Sequence, residues 1–213
     1  KQNPKSLLLI EKDDNLFKEL DKKFSSKKEI KIFNADILKF NLEKKIKKNS
    51  IIFGNLPYNI SSQILVKILR FNKWPPNLTD IIFMFQKELA EKIIAKYPSS
   101  NYGRLSILSS YRLNIVRKFL VSPNCFFPKP KVDSTVLHLK PNKEMFTKIK
   151  NIENLEKIKN ILFSNKRKMI NKTMKKIFNK DKLNSIKDLN LKSRPSDLKP
   201  EKYYEITEIF ENL

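Results

Sequence analysis

Residues 51–65 read IIFGNLPYNISSQIL. A short apolar run leads through Gly54 into Asn-Leu-Pro-Tyr, and a helical pattern starts at once in SSQILVKILRF, residues 61–71. An apolar run of this length between turn residues reads as a strand. Asn55 and Tyr58 are costly to bury without partners, and Pro57 cannot donate to a ladder. The strand is therefore expected over SIIFG, residues 50–54, with Asn55 at its carboxyl end and the chain turning over Leu56, Pro57 and Tyr58. A strand that stops on hydrogen-bonding side chains and passes directly into a helix is the repeating unit of an α/β sheet. In such sheets, ligands sit at the carboxyl ends of the strands.

The same alternation continues on either side. SLLLIE (6–11), IKIFNAD (30–36) and DIIFMFQ (80–86) read as further strands. Residues 13–24, 87–97 and 105–113 carry helical spacing, the first with an acidic start. VRKFLVS (116–122) and STVLHLK (134–140) are joined by PNCFFPKPKVD and read as an antiparallel pair at one edge. The expected fold class is α/β, with a mainly parallel sheet. Glu11, Asp36, Asn55 and Gln86 fall in succession at strand carboxyl ends, which points to a site rather than to chance. After Pro141 the pattern changes. Residues 144–213 show helical periodicity and many lysines, and ENLEKIKNILFSNKRKMINKTMKKIF reads as two basic helices. The expected division is a sheet domain of residues 1–141 and a small all-helical, basic domain of residues 142–213.

The chain has 213 residues, 40% of them hydrophobic, enough for a real core. Its net charge of +23 calls for a polyanionic partner, because a lysine beside a phosphate releases condensed counterions. A general drift toward Lys, Asn and Ile supplies part of that excess. One cysteine, Cys125, excludes an internal disulfide and a cysteine metal cluster, and fits a reducing compartment. One histidine, His138, excludes a multi-histidine metal site. No apolar run approaches membrane-spanning length, and no membrane partner is expected.

An Asn-x-Pro-aromatic turn suits chemistry on an exocyclic amine. The lone pair of an adenine amino group is delocalised into the ring, which makes it a poor nucleophile. The Asn55 carboxamide oxygen and the Leu56 carbonyl provide two acceptors that hold the nitrogen closer to tetrahedral, while Pro57 stiffens the turn. Tyr58 stacks on a base taken out of its helix. The electrophile must be strong, and a methyl sulfonium fits. The competing reading is a turn that merely contains these residues. A carboxylate ending a strand, here Glu11, takes both ribose hydroxyls of a nucleoside cofactor. Asp36 accepts from the cofactor's adenine amino group with Ile37 against the ring, or else serves as a helix N-cap or turn residue.

FGNLPYNISSQIL, MFQKELAEKI, NYGRLSIL, FFPKPKVDSTVLHL and NKRKMI occur in that order. As a set they resemble the KsgA/Dim family of S-adenosylmethionine-dependent ribosomal RNA adenine dimethyltransferases, from about Leu7 to the C-terminus. The resemblance implies a Rossmann-like class I methyltransferase sheet with a helical C-terminal domain. The implied activity is transfer of methyl groups from S-adenosylmethionine to N6 of two adjacent adenines, in a hairpin near the 3′ end of small-subunit ribosomal RNA. A checkpoint role in ribosome assembly is implied with it. Glu11 matches the ribose-binding acid and Asp36 the residue contacting the cofactor adenine. Asn55 to Tyr58 match the catalytic turn, with Asn55 counted on the cofactor side as well. Phe126 matches the aromatic that sandwiches the target base with Tyr58. The expected partner is the immature small subunit, the expected location the cytoplasm and the expected state a monomer without a metal. The family also begins with a strand and a glycine-rich cofactor loop. The only glycines here, Gly54 and Gly103, lie elsewhere, so a preceding segment is expected in the natural protein.

Arg104 in YGRLS reads as a phosphate contact or as a buried salt bridge that orders the loop. Lys129 and Lys131 flank the expected base pocket. Lys166, Arg167 and Lys168 head the strongest basic cluster, residues 165–176, read as an RNA-docking face. Cys125 is expected to be an inert packing residue, His138 structural and Trp74 a loop anchor. Gln86 and Glu88 are expected to tie a strand end to its helix. Two other functions fit the pattern: a large-subunit methyltransferase of the macrolide-resistance type, and a small-subunit assembly factor without catalysis.

Overall fold

The computed structural model describes residues 4–144 and 149–213. Residues 145–148, near the start of the expected helical stretch, lie outside the described residues. The chain forms two compact units, Lys1–Ile46 and Lys47–Leu213.

In the first unit, β1 (Leu7–Glu11) and β2 (Ile30–Asn34) pair in parallel, with Leu7 opposite Ile30 and Glu11 opposite Asn34. The connection is α1 (Asp14–Phe24). The Asp13 carboxylate caps this helix, accepting from the backbone N–H of Asn15 at 2.9 Å and of Leu16 at 3.0 Å. Asp14 in the first turn and Lys22 and Lys23 in the last complement the helix dipole.

The second unit opens with β3 (Ser50–Asn55), α2 (Ser61–Leu69), β4 (Leu78–Gln86), α3 (Lys87–Ile94), α4 (Arg104–Arg112), β5 (Leu113–Val121) and β6 (Ser134–Pro141). The sheet order is β3-β4-β6-β5. The β3–β4 pair is parallel; β4–β6 and β6–β5 are antiparallel. The fold is α/β as expected, but antiparallel pairing is a larger part of this sheet than a mainly parallel reading allows. The physical reason is the connection between β5 and β6. It holds a 3-10 turn at Pro123–Cys125 and three prolines but no helix, so it returns the chain as a hairpin instead of crossing the sheet face. β6 inserts between β4 and β5, which leaves β5 at the edge.

Alternation along β4 and β6 puts Ile81, Phe83, Phe85, Leu137 and Leu139 at full burial. Leu65, Ile68 and Leu69 of α2 and Ile107 and Leu108 of α4 are buried as completely. Arg112, at the end of α4, is buried too. It donates to the carbonyls of Leu69 at 2.6 Å and Phe71 at 2.7 Å, and lies 4.5 Å from the Trp74 ring centroid. Trp74 donates its indole N–H to the Asn142 carbonyl at 2.8 Å, which makes it the loop anchor expected of it.

From Ile149 onward the described chain forms helices and turns: α5 (Ile152–Phe163), α6 (Asn171–Ile177), α7 (Lys180–Ser185) and α8 (Pro200–Phe210). Tyrosines join this segment to α4 and the turn before it. Tyr102 donates to the Leu198 carbonyl at 2.9 Å, and Tyr204 to the Ile107 carbonyl at 3.1 Å. The Tyr111 and Tyr204 rings meet at 4.8 Å. Burial pushes the phenols of Tyr102, Tyr203 and Tyr204 far above the usual tyrosine range. At the same junction, Arg70 donates through Nε and Nη2 to Glu156 of α5 at 2.9 and 2.6 Å.

Lys159, one helical turn beyond Glu156, is buried, and burial lowers its ammonium to about 8. The unfolded chain keeps that proton up to about 10.4. Between these values the unfolded state binds more protons, so stability rises with pH through this window. Lys159→Met should abolish the rise and stabilise the fold at pH 7 by about 1–3 kcal/mol. Urea unfolding at pH 7 and at intervals up to pH 9.5 checks both.

Candidate active site

The turn of residues 55–58 is built as its sequence dictates. β3 pairs with β4 as far as Asn55, opposite Met84, and the ladder stops there. Asn55 and Pro57 are exposed; Leu56 and Tyr58 are half-buried. The Pro57 carbonyl accepts from the Ile60 N–H at 3.2 Å, closing the turn into α2. The Tyr58 carbonyl accepts from the hydroxyl of Ser61, a fully buried residue, at 3.1 Å. The Tyr58 hydroxyl lies 2.6 Å from Ser134 Oγ at the start of β6.

A side chain at Gly54 would crowd its neighbours. A Cβ at this position would lie 2.5 Å from Leu56 Cδ2 and 3.0 Å from the buried Phe83 ring. The close approach lets Leu56 fold back over the strand end while its backbone stays in the turn.

Phe126 is half-buried just after the 3-10 turn, with its N–H on the Pro123 carbonyl at 3.2 Å. It stands on the loop of residues 122–133 that leads into Ser134. Lys129 and Lys131 are exposed on that loop, as is the ring of Phe127.

In the first unit the two expected cofactor acids lie at one end of the β1–β2 pair. Glu11 ends β1, and its Oε1 accepts from the N–H of Lys12 at 2.7 Å and of Asp13 at 2.8 Å. Asp36 lies two residues beyond β2 rather than on it. Its Oδ1 accepts from the Leu38 N–H at 2.9 Å and its Oδ2 from Lys12 Nζ at 3.0 Å. These two bonds, the backbone one foremost, hold its carboxyl below the usual range. Asp36 therefore does the work of a turn residue, which leaves lone pairs for a further donor. Ile37 beside it is half-buried. Lys12, which bridges toward Asp36, carries no signal in the sequence, because its partner is 24 residues away.

Several lesser expectations change. Arg104 is exposed at the first position of α4 and takes part in no ion pair among the described residues, so it is not a buried salt bridge. Cys125 is exposed, not packed, because the proline loop carries it out to solvent. Gln86 precedes α3 without a side-chain capping bond, and Glu88 pairs along its own helix with Lys92 at 2.6 Å. The tie between strand end and helix comes instead from Asp133, whose carbonyl accepts from the Lys87 N–H at 3.0 Å. His138 is structural as expected, with Nε2 2.6 Å from Asp80 Oδ1. Lys166, Arg167 and Lys168 are exposed in the turn between α5 and α6. Among the described residues no cluster of acids, histidines or cysteines is suited to a metal ion. None of their helices is long and apolar enough to cross a membrane.

The family model for ribosomal RNA adenine dimethylases matches residues 1–212. A Pelagibacter ubique protein named ribosomal RNA small subunit methyltransferase A is 45% identical over all of this chain and 80% of its own length. A Malacoplasma penetrans protein of the same name is 36% identical over 98% of the chain and 75% of its own length. Among solved structures, a dimethyladenosine transferase from Plasmodium falciparum superposes with a TM-score of 0.73 at 23% identity, covering 95% of this chain and 80% of that one. The 23S rRNA methyltransferase ErmE superposes with a TM-score of 0.66 at 22% identity, covering 97% and 82%. At these identities the two structures speak for the fold, a class I methyltransferase sheet with helices.

The Gly54 contact is testable without any activity. Gly54→Ala should destabilise the fold by about 1–3 kcal/mol through overpacking. Adding Leu56→Ala should return a large part of that loss, because the nearest clash is with the Leu56 side chain. Urea midpoints of the two single variants and the double measure the coupling.

Proposed function

This chain belongs to the ribosomal RNA adenine dimethylase family, and from that premise we propose that it methylates N6 of two adjacent adenines in a hairpin near the 3′ end of small-subunit ribosomal RNA. The observation that carries the reading is a family match over nearly the whole chain, together with an Asn-Leu-Pro-Tyr turn at the carboxyl end of β3. The small subunit is favoured because the relatives at 45% and 36% identity carry small-subunit names, whereas the likeness to ErmE is one of fold.

The residues act as follows. The Asn55 carboxamide oxygen and the Leu56 carbonyl accept from the two N–H bonds of the target amino group and localise its lone pair for attack. Pro57 limits the motion of the turn between them. Tyr58 and Phe126 take the faces of the flipped base and offset part of the cost of unstacking it. S-adenosylmethionine, when bound, supplies the methyl group on a sulfonium. The residues present fit this cofactor. Glu11 is a carboxylate at a strand end, matched to a ribose diol, and it keeps acceptor capacity beyond its two backbone bonds. Asp36, held ionised by Leu38 N–H and Lys12, accepts an adenine amino proton, with Ile37 against the ring. Asn55 is assigned to the cofactor side as well.

Arg104, Lys129, Lys131, Lys166, Arg167 and Lys168 contact phosphates of the immature small subunit. Residues 142–213 form the docking part and residues 1–141 the methyltransferase part. The protein acts in the cytoplasm as a monomer, and serves also as a checkpoint in subunit assembly.

With labelled S-adenosylmethionine and unmethylated small subunits, the natural protein should produce N6,N6-dimethyladenosine at two adjacent adenines. Asn55→Ala should lower the rate by about 100-fold or more while subunit binding persists. Tight binding without transfer by the wild type would favour the assembly factor that lacks catalysis.

Charge reversal at Lys166, Arg167 and Lys168 together should weaken binding to the subunit. The slope of log affinity against log salt should flatten by about 0.7–0.9 for each phosphate that is no longer neutralised. Unchanged affinity and slope in a salt titration would remove this turn from the RNA interface.

A further inference from the structure

We propose that Ser134 is a positioning residue for methyl transfer, its hydroxyl fixing the angle at which the Tyr58 ring meets the target base. The proposal rests on the reading of residues 55–58 as the methyl-transfer turn.

Tyr58 lies beyond the last paired residue of β3, where no ladder bond holds the chain. Its backbone is held by the Ser61 hydroxyl, but a ring on a turn still needs its far end fixed to keep one orientation. That end is the phenol oxygen, 2.6 Å from Ser134 Oγ and 76 residues away in sequence. Ser134 sits on much firmer ground. It is fully buried and stands between two strands, opposite Gln86 of β4 on one side and Val121 of β5 on the other. The preceding residue, Asp133, is tied to α3 through its carbonyl, and its carboxylate lies 3.7 Å from Lys87 Nζ. A turn residue is thus referenced to the interior of the sheet through one short bond.

The same bond limits what Tyr58 does. Its hydroxyl is engaged by a neutral hydroxyl, so the ring face, not the phenol proton, is the working part. Ser134 carries no charge to lose, so replacing it by alanine should change the rate without changing the shape of its pH dependence.

The test compares wild type, Ser134→Ala, Tyr58→Phe, the double variant and Ser134→Thr in the natural protein. Transfer from S-adenosylmethionine to unmethylated small subunits is measured across pH, alongside calorimetric binding of S-adenosylmethionine alone. Ser134→Ala and Tyr58→Phe should each lower kcat by about 10–100-fold, with cofactor affinity and the pH profile unchanged. The double variant should be no slower than the slower single, and Ser134→Thr, which keeps a hydroxyl, should recover much of the rate. With 13C-labelled tyrosine at the ring carbon bearing oxygen, the Tyr58 resonance, identified by its loss in Tyr58→Phe, should shift in Ser134→Ala.

A wild-type rate in Ser134→Ala, multiplying losses in the double variant or an unmoved resonance would each overturn the proposal while leaving the activity intact. A wild type that transfers no methyl group would instead overturn the reading of the turn itself, and the proposal with it.

Discussion

The structure of the larger unit depends on the placement of β6 between β4 and β5. Both ladders of β6 are antiparallel, and its inward residues Leu137 and Leu139 are fully buried beside Ile81, Phe83 and Phe85. Antiparallel pairing sends the chain back along the sheet, so the start of β6 lies beside the carboxyl end of β4. That geometry puts Ser134 opposite Gln86, Asp133 against the first residue of α3, and Phe126 on the loop that arrives at the same end. A parallel β6 would put its first residue at the opposite edge and strip the Asn55–Tyr58 turn of its anchor.

Charge is distributed in two ways that serve different ends. Lys129, Lys131, Lys166, Arg167 and Lys168 are exposed and share no ion pair among the described residues. Exposed lysines keep their hydration until a polyanion arrives, which suits binding driven by counterion release. The junction between α4 and the following helices instead uses phenol–carbonyl bonds and the Arg70–Glu156 pair. The phenol–carbonyl bonds among these are neutral and hold across a range of salt that weakens the surface interactions. Lys159 adds a charge buried at a cost within that junction.

Much of the site is legible locally. The apolar run and Pro57 place the end of β3 to within a residue: SIIFG stops at Gly54 and the ladder at Asn55. Glu11 ends β1 as its apolar run suggests. Asp36 is only partly legible. The apolar pattern of β2 runs on toward it, but its own side chain competes for the Leu38 N–H and opens a turn. Arg104, Gln86 and Cys125 escape a local reading for a related reason. Whether a side chain is paired, capping or buried depends on neighbours that are distant in the chain.

Local residue types set the chemistry available at each strand end, the alternation that makes an α/β fold and the excess of positive charge. These are properties of residues and of their near neighbours, set by rotamers, backbone restriction and period. The tertiary structure alone decided which strand ends share a sheet, that β6 runs antiparallel in its interior, and that Ser134 meets Tyr58. Contacts between residues 76 positions apart leave no local pattern, because it is the packing of the whole sheet that selects them.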